Sequence, residues 1–419
     1  MKRLIFICLA FLVVAAIITP AAFAQGKAGE IQVQVDGLPV AFDVPPLIQN
    51  GRTLVPFRAI AEALNVNVSW DGVNRTISAS DGKNSVWLQI GNPTASRNQI
   101  PMELDAPPLM LDNRTLIPLR FFSEAFNCRV NWDGAANMVK ISSPPKSMTV
   151  IGFYALGDSK SSSWQDLFGM PYPQTARANT DLVSKLALGW YSLDVDGNLL
   201  TRSSTGWQRP DGWEKVLEAA NTYRLDTEMV VHLTNRDGVI SKLLSNEAAV
   251  SRAVSSIVAE ARQYGGVNLD LEGLGWQLKG EQLKAVQDSF TRFVSLLAKQ
   301  LRAANLNLTL TLHAPNSAYK GYDYQALGQL ADQIIIMAYD YGSRPEPVTK
   351  VTEAVTMARE VVPPEKLILG ISTPSETADS ILTKVGIAKR YKLAGIALWR
   401  LGLVKNEMWR NLRTTIQPR

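Results

Sequence analysis

The sequence predicts an α/β protein, a (β/α)8 TIM barrel behind a smaller α+β repeat domain. Three observations predict it. From Met148 onward, eight apolar strand candidates alternate with helical patterns, the rhythm of a closed parallel sheet. Before them, residues 30–143 carry one motif twice at a constant offset of 62, which marks a separate repeat domain. The third observation is the stretch from Tyr264 to Glu272. Read as a strand, it sends Val267, Leu269 and Leu271 to one face and Asn268, Asp270 and Glu272 to the other. Strands of a parallel sheet are covered on both faces. Burying an amide and two carboxylates there without partners costs on the order of several kcal/mol, so the row predicts a site.

The chain begins like a secretory signal. Lys2 and Arg3 precede an apolar run from Leu4 to Ile18, and Ala22-Phe23-Ala24 precedes Gln25, so residues 1–24 are expected to be a cleaved signal peptide. The expected location is secreted or cell-wall associated, in a bacterium. Removal of the signal leaves Cys128 as the one cysteine, hence no internal disulfide. Two histidines and two cysteines in 419 residues exclude a zinc cluster. The net charge of +5 is spread without a Lys/Arg block, which argues against a nucleic-acid partner and fits loose attraction to an anionic wall.

In the repeat domain, Gly51-Arg-Thr-Leu-Val-Pro-Phe-Arg58 returns as Asn113-Arg-Thr-Leu-Ile-Pro-Leu-Arg120. Trp70-Asp-Gly72 returns as Trp132-Asp-Gly134, and Pro45-Pro46 as Pro107-Pro108. Each unit (about 30–90 and 91–143) predicts a strand, a Pro-Pro turn, a helix opening at Pro56 or Pro118, and a strand pair around the Trp-Asp-Gly turn. This pattern resembles the copper amine oxidase N-terminal-like domain, a stalk module of exported proteins. With no histidine and one cysteine in the region, the residues are a poor copper set. Arg58 and Arg120 suit an anionic glycan or, more simply, pairing with Glu62 and Glu124 one helical turn on. The role expected of this domain is attachment to the cell envelope. Ser142-Ser-Pro-Pro-Lys146 reads as a linker.

The barrel is expected over 147–419. Its predicted strands are Thr149–Tyr154, Leu186–Tyr191, Glu228–Leu233, Val267–Glu272, Asn307–His313, Gln333–Tyr339, Lys366–Ser372 and Gly395–Trp399. Barrel chemistry sits at the C-terminal strand ends. There strand four offers Asp270 and Glu272, strand six Met337-Ala-Tyr-Asp340, strand eight Trp399 and strand one Phe153-Tyr154. Carboxylates beside aromatic rings suit a sugar. His232 reads as interior packing, and His313 as either a structural histidine or a groove residue. About twenty residues between Ser372 and Leu393 leave no room for an inserted subdomain, which predicts a shallow, open groove.

On these motifs the barrel resembles glycoside hydrolase family 18, whose strand-four signature is D-x-x-D-x-D-x-E. Gly265, Asn268, Asp270 and Glu272 stand at its four marked positions, so Gly265 and Asn268 depart from it. The family's Met-x-Tyr-Asp is matched by Met337, Tyr339 and Asp340, and its strand-eight Trp by Trp399. The resemblance implies a retaining, substrate-assisted glycosidase. Glu272 would be the acid/base with a raised pKa, and Asp270 would orient the sugar's acetamido N–H and hydrogen-bond Glu272. Tyr339 would bind the acetamido oxygen. Asn268, Asp340, Trp399, Tyr154 and Met337 would line the substrate site, with Trp399 as the floor. The substrate implied is β-1,4-linked N-acetylglucosamine glycan, either peptidoglycan (including spore cortex) or chitin. No metal or cofactor is called for, and a monomer is expected. A non-catalytic lectin-like barrel is the competing reading.

Overall fold

The computed structural model describes residues 30–154, 162–203 and 206–419. The predicted signal, 1–24, lies outside the described residues.

In the N-terminal domain the two repeats are interlocked rather than merely tandem. Strand Arg52–Pro56 pairs antiparallel with its own repeat, Arg114–Pro118, in the register Val55↔Ile117. Those two residues are one offset apart, so the pairing lies on a local two-fold axis. Arg52 bonds Asp105 at 2.6 Å, and Arg114 bonds Asp43, so each repeat's arginine uses the other's aspartate. The opening strand Gln32–Val35 joins the second repeat's Met138–Ser142 in parallel. Helices Phe57–Leu64 and Leu119–Ala125 follow, but Pro56 and Pro118 end the strands and stand at the N-caps, one residue earlier than predicted. The predicted Trp-Asp-Gly strand pairs form at Asn67–Asp71/Thr76–Ser80 and Arg129–Asp133/Met138–Ser142. Arg120 pairs with Glu124 at 3.3 Å, while Arg58 and Glu62 do not pair. Cys128 is buried and free, its thiol pushed up to about 12 by burial.

Eight parallel strands form the barrel: β1 (Thr149–Tyr154), β2 (Lys185–Leu193), β3 (Asp226–Thr234), β4 (Gly266–Glu272), β5 (Asn307–His313), β6 (Gln333–Met337), β7 (Leu367–Ser372) and β8 (Gly395–Trp399). Each pairs with the next, and β1 pairs with both β2 and β8, which closes the sheet. β6 is shorter than predicted: it stops at Met337, and Tyr339 and Asp340 belong to the loop beyond it. Between β7 and β8 lie one turn and the helix Ala378–Arg390, without the inserted subdomain that the short spacing excluded.

The lumen is filled in layers, as a barrel of this size requires. At the N-terminal end Lys185 reaches Glu228 at 2.5 Å and Gln333 at 3.0 Å, and Thr309 donates to Glu228 at 2.8 Å. Above them Ile151, Phe153, Ala187, Val230, Ile335, Ile368 and Ala397 make an apolar plug. The functional candidates occupy the layer above that. Outside, the strands' other faces and the helices form the main core.

The two domains meet on helix Ala378–Arg390. Its Gly386 faces Asp36 so closely that a Cβ would lie 2.3 Å from the Asp36 carbonyl. Lys389 stands 3.5 Å from Asp36 and donates to Thr415 at 3.2 Å. Ser143 closes the cluster by donating to Asp36. A buried cation and carboxylate from different domains thus hold the repeat domain against the barrel.

The basal layer makes a prediction. Glu228→Ala leaves Lys185 as an unpaired buried cation and should destabilise the protein by about 3–5 kcal/mol, read as a lower urea midpoint, with the double variant Lys185→Met/Glu228→Leu recovering much of the loss.

Candidate active site

Alternation along β4 puts Asn268, Asp270 and Glu272 into the lumen, as the polar row predicted. Asn268 and Asp270 are fully enclosed; the Glu272 side chain, at the strand end, is 26% exposed. The chain beyond Glu272 is pinned on several sides. Asn235 donates its N–H to the Glu272 carbonyl at 2.8 Å, and the Tyr322 hydroxyl donates to the Leu271 carbonyl at 2.8 Å.

Two histidines flank Glu272. His232 of β3 donates from Nε2 to Glu272 Oε1 at 3.2 Å. His313 of β5 places Nε2 3.6 Å from Oε2, and that nitrogen also accepts the Gly273 N–H at 3.3 Å. His232 is therefore more than packing, and His313 faces the groove. Burial alone would lower the His232 pKa, but the Glu272 hydrogen bond and the charges of Asp270 and Glu272 outweigh it, so the net shift is upward. For His313 burial prevails and the shift is downward.

The carboxylates divide one proton unequally. Asp270 is enclosed and its Oδ1 has no hydrogen-bond partner. Burial, then the Glu272 charge, raises its carboxyl to about 8. Burial also acts on Glu272, but the His232 hydrogen bond and the two histidines bring it below the usual carboxylate range. In the ligand-free protein the proton thus sits on Asp270, not on Glu272, the reverse of the sequence expectation. Asn268 accepts from the Thr311 hydroxyl at 2.7 Å and leaves its Nδ2 without a partner beneath Asp270.

Gly265 lies just outside β4 at its N-terminal end, where its N–H bonds the Thr227 carbonyl at 2.8 Å. Five residue steps separate it from Asp270, roughly 16 Å along the strand. A carboxylate there would stand at the barrel floor, so its absence does not touch the mouth.

Tyr339 leans over β7 at Gly370, where a Cβ would stand 3.2 Å from its ring. Asp340 is exposed at the rim with φ +63°, its N–H held by Glu346 at 3.0 Å. Glu346 is itself fixed through its carbonyl by the buried Lys384 at 2.8 Å. Met337 is buried next to His313 in register, and Trp399 ends β8 at the mouth. Tyr154 does not line the site. It points outward into the helix-side core against Trp190, and Phe153 takes the inward position.

Aromatic residues that motif spacing did not reveal complete the mouth. Trp207 stacks between His232 (4.7 Å) and Trp399 (5.2 Å). On the opposite side Tyr319 stacks on His313 (4.2 Å), and Trp276, 51% exposed, leans on Tyr319. Each comes from a loop; the one signal in the sequence was a tryptophan in each of the loops after β2 and β4. The ligand atoms of His232, Asp270 and Glu272 lie within 4.8 Å of one another, so they could also take a divalent ion, using the same lone pairs as the proton chemistry.

With this geometry in place, residues 234–378 match the family described as Glycosyl hydrolases family 18, and residues 34–141 the Copper amine oxidase N-terminal domain. The family 18 match runs from the end of β3 to just past β7, so the middle of the barrel, with β4 and its carboxylates, is similar to family 18 glycosyl hydrolases. Among curated relatives, YdhD of Bacillus subtilis (strain 168), provisionally named a sporulation-specific glycosylase, is 32% identical over 32% of this chain and 33% of its own length. The cortical fragment-lytic enzyme of the same organism is 24% identical over 47% of this chain and 46% of its own. The chain therefore spans less than half the length of either relative. The Bacillus cereus spore cortex-lytic enzyme SleL shares the fold, with TM-score 0.52 and 18% identity over 66% of this chain and 76% of that one.

The displaced proton predicts a pH-dependent stability effect. Asp270 holds a proton in the fold that the unfolded chain releases above about pH 4, so its burial costs stability increasingly from there to about pH 8. Asp270→Asn should therefore melt at the wild-type temperature near pH 4 and above it at pH 8, measured by calorimetry across that range.

Proposed function

We propose that this chain hydrolyses β-1,4-linked N-acetylglucosamine glycan, with spore-cortex or other peptidoglycan as substrate, by a retaining, substrate-assisted route. The observation that carries the reading is the pair at the end of β4: an ionised, histidine-flanked Glu272 at the mouth above an enclosed, protonated Asp270. The family match and the cortex-lytic relatives support the substrate class.

In the proposed reaction the sugar's acetamido N–H reaches Asp270. A donor there favours the carboxylate and moves the shared proton towards Glu272. Glu272 then protonates the glycosidic oxygen as that bond breaks. The acetamido oxygen attacks the anomeric carbon and gives an oxazolinium ion. Asp270, now anionic, stabilises its charge, and Tyr339 binds its oxygen. Water then opens the ring with Glu272 as base, so configuration is retained. Trp399 bears the sugar's apolar face, and Asp340 and Trp276 line the groove. His232 keeps Glu272 aimed at the mouth.

The chain is proposed to act outside the cell as a monomer, exported by residues 1–24 and held at the envelope by the repeat domain. A mouth without an inserted subdomain between β7 and β8 suits cross-linked wall glycan better than processive work on crystalline chitin.

Incubating the full chain and Glu272→Gln with purified cortex peptidoglycan and with chitin oligomers tests this. New reducing ends are expected from the wild type, with the variant slower by about 10²–10⁴-fold. Binding by both proteins and cleavage by neither would favour the lectin-like reading instead. The pair must also keep one proton between them. The rate should therefore decline as pH rises past about 8, where Asp270 in the free protein loses it, a loss seen in kcat/KM.

A further inference from the structure

Trp399 is the sugar floor that the site requires, yet one of its faces is already taken. The Trp207 indole lies on it at 5.2 Å between ring centres and 26° between planes. Its other side lies on the His232 ring at 4.7 Å and 22°. His232 in turn bonds Glu272. An aromatic ring of about the breadth of a sugar thus lies between the floor and the histidine that holds the acid. A pyranose cannot stack on a tryptophan face that an indole occupies.

The barrel is built to admit this ring. Gly189 of β2 faces it, and a Cβ there would fall 1.8 Å from Trp207 Cζ3; the two next-nearest atoms also belong to Trp207. The segment carrying Trp207 is anchored at its base. Arg209 donates to Glu260 at 2.8 Å and to Tyr191 at 3.1 Å, and its N–H bonds the Thr201 carbonyl at 2.9 Å. Withdrawal is then a rotation of Trp207 over a fixed base. Across Glu272 the arrangement is the opposite: Trp276 is 51% exposed and offers a bare stacking face.

We propose that Trp207 is a plug over the sugar floor. It stands in for the sugar ring on Trp399 and yields to a glycan that stacks there instead. A sugar of any length must displace the indole to reach that face, and its binding is weakened accordingly. The inference rests on the proposed function for its substrate class, N-acetylglucosamine oligomers, but not on cleavage.

Its test is therefore binding. Calorimetric titrations of the full chain in a Glu272→Gln background compare the N-acetylglucosamine disaccharide with the hexamer. If the open form is about a tenth of the population, Trp207→Ala should tighten binding of the disaccharide and of the hexamer alike by roughly tenfold, because both displace the same ring. Gly189→Ala, which expels the ring without deleting it, should act in the same direction and serves if Trp207→Ala does not fold. Weaker or unchanged disaccharide binding in the variants would make Trp207 a wall of the site and overturn the plug, as would failure of every form to bind either sugar. Absence of cleavage by the Glu272-intact chain, with the tightening present, would sink the hydrolase reading alone.

Discussion

The mouth of this barrel depends on one constraint: two carboxylates stand two residues apart on one strand, and the protein holds a single proton between them. Two buried like charges this close cannot both persist cheaply. The structure resolves the conflict by asymmetry. Asp270 is enclosed and without a partner on Oδ1, so it stays neutral. Glu272 is at the strand end with His232 donating to it, so it stays ionised. Much of what surrounds the pair serves this division. Asn268 brings no third charge beneath Asp270, and the two histidines are supplied by the neighbouring strands on either side.

The same constraint explains why the loops matter more than the strands for what binds. The strands place the acid chemistry to within the spacing of a β-ladder, and they leave little freedom. The stacking surfaces come instead from Trp207, Trp276 and Tyr319, whose backbones lie in connecting segments. Glycines make room for two of the rings near the mouth: Gly189 under Trp207 and Gly370 under Tyr339. A Cβ at Gly189 would force the Trp207 ring to move, so a small residue in a strand controls an aromatic residue elsewhere in the chain.

Away from the mouth, polar burial is used for fastening. Lys185 and Glu228 sit at the barrel floor, Lys384 and Glu346 fix the loop that carries Asp340, and Lys389 with Asp36 joins the two domains. Each cation has a partner, as buried charges must. In the repeat domain, the exchange of Arg52–Asp105 and Arg114–Asp43 means that neither repeat has its full set of ion pairs alone.

The chain alone determined the order of the elements, because periodicity is local. Eight strand–helix alternations imply a closed parallel sheet, period-two alternation aims Asp270 and Glu272 into one lumen, and an offset of 62 marks the repeat. Local pattern has limits at strand ends, where it carried β6 through Tyr339 and read Tyr154 as facing inward. Tertiary structure decided the rest, since barrel closure sets which distant residues meet. It brought His232 to Glu272, laid Trp207 on Trp399, put Gly265 at the floor and moved the proton to Asp270. Burial and long-range contacts set a pKa, and neither can be read from a residue's neighbours in the chain.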